Sequence, residues 1–300
     1  METIVIAFGG NALLRPGDRQ EFSVQASNVV SSVSKISGLL DNPRNRVVIT
    51  HGNGPQVGDE LIRNVSGRRK IPMLPLHAMN AETQALIGSM IELAIRNAVG
   101  SKGISVILTH TVVDWNDPAF ENPTKPVGPI LKKSEIGIEG KDGKYIKVGK
   151  GYRMAVGSPK PLKIVEERQI VSALADDRIV ICCGGGGIPV IKSGKGLRAV
   201  DAVIDKDRSS ALIASAIKAD KLMILTNVDC VRNPITNKEI RVARSSDLRD
   251  ILDEFDAGTM RPKIEACISF VQGGGKAAFI GNLDKIREIV KGRSGTRIIR

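Results

Sequence analysis

Aromatic side chains are scarce in this chain of 300 residues: six Phe, two Tyr and one Trp amount to 3%. That shortage removes the stacking platforms on which single-stranded nucleic acids are held. Cysteine is scarce as well. Cys182, Cys183, Cys230 and Cys267 form no CxxC pair and no zinc spacing, which predicts buried thiols in a reducing compartment. Cys182 and Cys183 are adjacent in an apolar run, so on a strand they should face opposite ways. The three histidines, His51, His77 and His110, make no HxxxH-type ligand pair, and the residue pattern points to no metal site. No run approaches the ~18 apolar residues that span a bilayer. Met1-Glu2-Thr3 leads straight into an apolar strand, without the basic and apolar regions of a leader. The expectation is a cytoplasmic protein without a membrane partner.

Several catalytic signatures are missing too. The phosphate-binding pattern GxxxxGK followed by Ser or Thr does not occur. Gly52-Asn53-Gly54 starts a dinucleotide fingerprint, but Val57 stands where its third glycine belongs, which argues against a nicotinamide enzyme. No GxSxG is present, nor a nucleophile paired with a histidine base. The charge balance, 44 Lys and Arg against 32 Asp and Glu, leaves +12. Such an excess suits anionic ligands. The basic residues are scattered apart from Arg68-Arg69-Lys70, so they read as solvated surface and no nucleic-acid partner is expected.

What the chain does have is alternation. Thr3–Phe8, Arg46–Thr50, Ile104–Thr109, Arg178–Cys183 and Lys221–Thr226 read as buried strands, with Ala277–Ile280 and Arg297–Ile299 closing the series. Helical stretches lie between them, at Ser23–Leu40, Ala81–Ala98, Lys206–Ala219 and Lys263–Gln272. Strands alternating with helices predict a mainly parallel sheet covered on both faces, with ligands at the carboxyl ends of its strands.

Three of those strands run into glycine: Gly9-Gly10, His51-Gly52-Asn53-Gly54 and Gly184–Gly187. Glycine lets main chain approach a ligand closely, and free N–H groups at a helix start form a nest for anionic oxygens. Three such loops on one sheet edge predict one or more bound anions there. Residues 115–161 break the alternation, with NPTKPVGP at 122–129, SPKP at 158–161 and a polar hairpin over Ile136–Val148 turning at Lys141-Asp142-Gly143. A structureless loop of that length is unusual in a domain, so an inserted lid is expected. No internal repeat is present.

The ordered motifs GGNALL (9–14), THGNGPQVG (50–58), NPTKPVGP, SPKP, CGGGGIPV (183–190), DAVIDKD (201–207), LTNVD (225–229), GTMRPKIEA (258–266) and SGTRI (294–298) resemble the carbamate kinases of the amino acid kinase superfamily. The resemblance implies a single domain over 1–300: a three-layer αβα sandwich on an open, mainly parallel sheet of about eight strands, with an inserted lid subdomain. It further implies an acceptor-binding half at about 1–180, with the lid at about 115–161, and a nucleotide-binding half at about 181–300. The implied reaction is phosphoryl transfer between ATP and carbamate, with Mg²⁺, by a cytoplasmic homodimer of arginine metabolism. Its partners are small anions: carbamoyl phosphate or carbamate, and ADP or ATP.

Carried over by motif, Gly9, Gly10, Asn11, Gly52, Asn53 and Gly54 surround carbamate and the moving phosphoryl. The nucleotide side uses Lys206, Asn227, Val228, Asp229, Met260, Pro262 and Lys263. Lys206 and Lys263 touch phosphates and Asp207 holds lysines in position. Many superfamily relatives place a lysine in the first strand, where this chain has Ala7 and Phe8. The resemblance supplies the missing cation from the lid, as Lys125, and this separates the carbamate kinases from acetylglutamate and uridylate kinases. Two departures stand out. Arg232 occupies the usual aromatic position near adenine, and Arg153-Met154 with Gly157 replaces an arginine pair and a proline before SPKP.

Overall fold

The computed structural model describes residues 1–15, 17–100, 102–136 and 144–300. Its central strand, Glu2–Phe8, is apolar on both faces because both are covered. Ile4, Ile6 and Phe8 pack under α1 (Phe22–Leu40), α3 (Leu76–Ala98) and α8 (Ile286–Val290). Val5 and Ala7 pack under α4 (Glu167–Ala175), α5 (Lys206–Ala216), α6 (Ser245–Asp250) and α7 (Met260–Gln272). α2 (Gly54–Gly67) lies between α3 and the lid strand Lys125–Leu131. Burying a side chain the size of those in the central strand is worth about 1.5–3 kcal/mol, and the strand contributes to both cores.

The main sheet has eight strands, in the spatial order 242–244, 296–299, 277–282, 221–226, 2–8, 45–51, 179–181 and 104–106. Only the pair 277–282 and 296–299 runs antiparallel. The carboxyl ends of 2–8, 45–51, 179–181 and 221–226 therefore open on one edge. A second sheet joins 196–199, 188–193, 110–112 and 163–164, and a three-stranded sheet joins 125–131, 151–156 and 144–148. This is the expected αβα architecture with its inserted subdomain. The hairpin read over Ile136–Val148 is displaced along the chain: Lys144–Val148 pairs with Gly151–Val156, turning between Val148 and Gly151, while the turn read at Lys141-Asp142-Gly143 lies outside the described residues.

Two strand ends also need correction. The strand read as Arg178–Cys183 spans only Ile179–Ile181, because Cys183 takes a left-handed conformation at φ 53°. The chain turns there, so Cys182 and Cys183 both enter the core under α5 rather than facing opposite ways. The strand read as Ile104–Thr109 stops at Val106. Beyond it Thr109 is drawn off the ladder: its N–H donates to Gln84 Oε1 at 3.1 Å, and its hydroxyl accepts from Cys183 N–H at 2.9 Å. All four cysteines are buried and free. Among the described residues, no helix is long and apolar enough to cross a membrane.

Candidate active site

Each glycine loop caps a strand at the shared edge. The first strand passes through Gly9 into a short helical turn, Gly10–Ala12, which contains Asn11. Gly9 N–H donates to Leu225 O at 3.0 Å, and a Cβ at this position would meet that oxygen at 2.7 Å. Only glycine lets the two strand ends approach so closely. The second strand passes through Gly52 to Asn53, which precedes α2 with Pro55 in its first turn. First-turn N–H groups of a helix have no partner within it, so this end offers donors to an anion.

The third loop is locked onto the second by buried amides. Asn53 Nδ2 donates to Asn80 Oδ1 and, at 2.9 Å, to Thr83 Oγ1; Asn80 Nδ2 donates to Gly187 O at 2.8 Å. Both amide hydrogens of Asn53 are thus engaged by neighbouring side chains. Gly185 sits at φ +62°, and a Cβ there would come within 2.3 Å of the Asn53 amide. Gly185→Ala is expected to cost about 1–3 kcal/mol in strain and to lower turnover about tenfold or more by shifting the loop. Thermal unfolding and steady-state rates check both. His51, beside Gly52, is pushed down to about 4 by burial, against the bond of its ring to the Gly52 carbonyl. It is neutral at physiological pH.

The start of α5 ties these loops to the cations. Ser210 Oγ lies 2.6 Å from Thr50 Oγ1 and donates to Lys206 O, while Ser209 Oγ donates to Gly186 O at 2.7 Å. Lys206 is thereby held beside Gly52, where an added methyl group would reach its Cδ at 3.2 Å. Buried Asp207 accepts from Lys206 Nζ with one oxygen and from Lys263 Nζ, at 2.9 Å, with the other. Burial alone would raise the Asp207 pKa, but the two ammonium groups outweigh it and hold it at about 2. Burial would likewise lower Lys263, yet the charge and hydrogen bond of Asp207 raise it. Both groups stay ionised.

The lid reaches the same spot. Lys125 Nζ lies 3.2 Å from Asp205 Oδ2, while Asp205 Oδ1 caps α5 by accepting from Asp207 N–H at 2.9 Å. Lys125, Lys206 and Lys263 are therefore linked through two carboxylates at the amino end of one helix. Beside them lies a cavity of about 230 Å³, lined by Asn53, Gly54, Lys125, Arg153 and Gly185 among others.

Not all the candidates join this network. Asn227, Val228 and Asp229 form the turn after strand Lys221–Thr226, on the same edge, but Asp229 is already paired with Lys285 Nζ at 2.6 Å and accepts from Asn282 Nδ2. Met260 and Pro262 stand with Lys263 in the first turn of α7. Arg232 turns away into a two-stranded ribbon, donating to Asn237 O at 3.1 Å. Sequence reading missed Asp205, Ser209, Ser210, Asn80 and Thr83. Their one signal is a set of small polar residues on buried faces of α3 and α5, where an apolar face is the rule.

A covered parallel sheet whose strand ends gather nests and lysines is the frame of a phosphotransferase. Residues 2–282 match the model of the amino acid kinase family. Carbamate kinase from Trichomonas vaginalis is 40% identical over 99% of both chains, and that from Haemophilus influenzae is 41% identical over 98% of this chain and 96% of its own. The structure of carbamate kinase from Giardia lamblia bound to AMP-PNP superposes with a TM-score of 0.92 at 35% identity, covering 99% of this chain and 98% of the other. The chain belongs to the amino acid kinase family and, within it, to the carbamate kinases.

Proposed function

We propose that this enzyme transfers a phosphoryl group between carbamoyl phosphate and ADP, giving ATP and carbamate, through the site at the amino end of α5. The observation that carries the reading is the chain Lys125–Asp205–α5–Lys206–Asp207–Lys263, set against the glycine loops. Phosphoryl transfer needs in-line placement and neutralised oxygens more than covalent chemistry. Carbamate and the γ-phosphate are both anions and repel each other. In our assignment, main-chain N–H groups around Gly9, Gly10, Asn11, Gly52, Asn53 and Gly54 hold the acceptor and the moving group. Lys206 and Lys263 face the phosphates, positioned by Asp207, and Lys125 closes from the lid. The carbamate oxygen is already ionised, so no general base is needed.

Asn227, Val228, Asp229, Met260 and Pro262 are assigned to the nucleotide, on the half at about 181–300. The acceptor belongs to the half at about 1–180, and the lid spans about 115–161. Mg²⁺ would arrive with the nucleotide and would supply charge neutralisation at its phosphates. Among the described residues no group of three His, Cys, Asp or Glu side chains could hold an ion, and Asp205 and Asp207 are committed to lysines. The resemblance supports a cytoplasmic enzyme of arginine metabolism. A homodimer is supported by Leu86 and Leu93 on α3 and by Val106 and Leu108 at the sheet edge, all exposed apolar side chains that a second copy would cover.

The test is ATP formation from carbamoyl phosphate and ADP, run beside phosphorylation of acetylglutamate and of UMP. Activity on either alternative with none on carbamoyl phosphate overturns the reading. Lys125→Ala is expected to lower turnover ~10²-fold, and near-normal turnover would remove the lid from the mechanism.

A further inference from the structure

The lid brings a second cation to the acceptor cavity. Arg153 lies on the strand Gly151–Val156, and its Nε donates to Gly128 O at 2.7 Å. It lines the same cavity as Asn53, Gly54, Lys125 and Gly185. The Nε bond fixes the plane of the guanidinium and uses one of its five donors. The anchor is itself fixed: Gly128 packs so closely on α2 that a Cβ there would meet Leu61 Cδ2 at 2.7 Å. Arg153 is thus held in register with the helix whose first turn faces the cavity.

Its charge is unmatched. Lys125, Lys206 and Lys263 each have a carboxylate, whereas Arg153 makes no ion pair among the described residues. Partial burial pushes its guanidinium below the ordinary value, with no neighbouring charge to offset the shift. A partly buried cation without a counter-ion gains from a bound anion.

We propose that Arg153 binds the carbamoyl end of carbamoyl phosphate and takes up the charge of the departing carbamate. The inference rests on the reaction proposed above. As an oxygen of the ADP β-phosphate attacks phosphorus, the P–O bond to the carbamoyl group breaks and its electron pair stays on the carbamate oxygen. No proton moves. The leaving group becomes a planar anion with two equivalent oxygens. A guanidinium fork matches that shape with parallel N–H···O bonds, which an ammonium cannot. Phosphate recognition thus falls to Lys206 and Lys263, and recognition of the carbamoyl group to Arg153 and the first turn of α2.

Steady-state ATP formation by wild type, Arg153→Gln and Arg153→Lys tests this. The glutamine variant is expected to lose ~10²-fold in kcat/KM for carbamoyl phosphate, with KM for ADP unchanged, and lysine should restore little of the loss. Met154→Ala, a change at the neighbouring lid residue, should alter neither constant. Wild-type kinetics in the lysine variant, or equal losses towards both substrates, overturn the role of Arg153 alone. A wild-type enzyme that makes no ATP from carbamoyl phosphate overturns the functional reading together with it. Should the variants fail to fold, phenylglyoxal labelling of the wild type decides. Carbamoyl phosphate should protect Arg153 and ADP alone should not; labelling insensitive to carbamoyl phosphate overturns the proposal.

Discussion

Lys206→Ala and Lys263→Ala are each expected to lower turnover by ~10²–10³-fold, the usual effect of removing one preorganised donor from a transferring group, with little loss of stability. The second half of that expectation follows from how Asp207 is shared. Each oxygen of this buried carboxylate takes one lysine, so either single variant leaves it with a partner. The double variant differs, because a buried carboxylate stripped of both cations costs about 3–5 kcal/mol. Turnover and thermal unfolding of the two singles and the double separate the roles. Similar rate losses with non-additive stability losses are the expected pattern. Additive stability losses would contradict the shared carboxylate.

Asp207→Ala is expected to be the most destabilising single change at the site, at about 3 kcal/mol, the low end for breaking a buried pair. Lys206 and Lys263 keep 14% and 19% of their side-chain surface exposed, so both ammonium groups can move towards water once released. Turnover should fall as well, because nothing then holds the two cations towards the phosphates. The wild type carries an acid signature of the same contact. Asp207 is held at about 2 in the folded protein against an ordinary 3.8. Its contribution is complete above that ordinary value and is lost as pH falls towards about 2, where the folded carboxylate takes a proton. Stability of the wild type should therefore drop faster than that of Asp207→Ala across this window. Parallel pH profiles for the two proteins would contradict the assignment.

The sheet was legible because its strands are apolar on both faces and end in glycine, as at Phe8-Gly9 and His51-Gly52. The strand ends that went wrong did so where a side chain outcompetes the ladder. Thr109 is drawn off to Gln84, and Cys183 is turned by a left-handed backbone. Neither contact has a local sequence signal. Within the candidate site, the motifs pick out the three lysines that the fold brings together, and Asp207, but they do not pick out the other groups that hold those lysines. Asp205 looks like an ordinary helix cap until Lys125, 80 residues earlier, arrives on its free oxygen. Ser209 and Ser210 look like mild helix defects until Ser209 is seen to donate to Gly186 O and Ser210 to meet the Thr50 hydroxyl. Such contacts cross between elements, and period and propensity carry no trace of them.

A crystal structure with ADP, Mg²⁺, carbamate and a planar fluoride mimic of the transferring phosphoryl tests the central claim most directly. The mimic should sit within hydrogen-bond reach of main-chain N–H groups from the Gly9 and Gly52 loops and of Lys125, Lys206 and Lys263 together. Finding it bound while Lys125 stays on Asp205, or finding the mimic away from either glycine loop, would contradict the account.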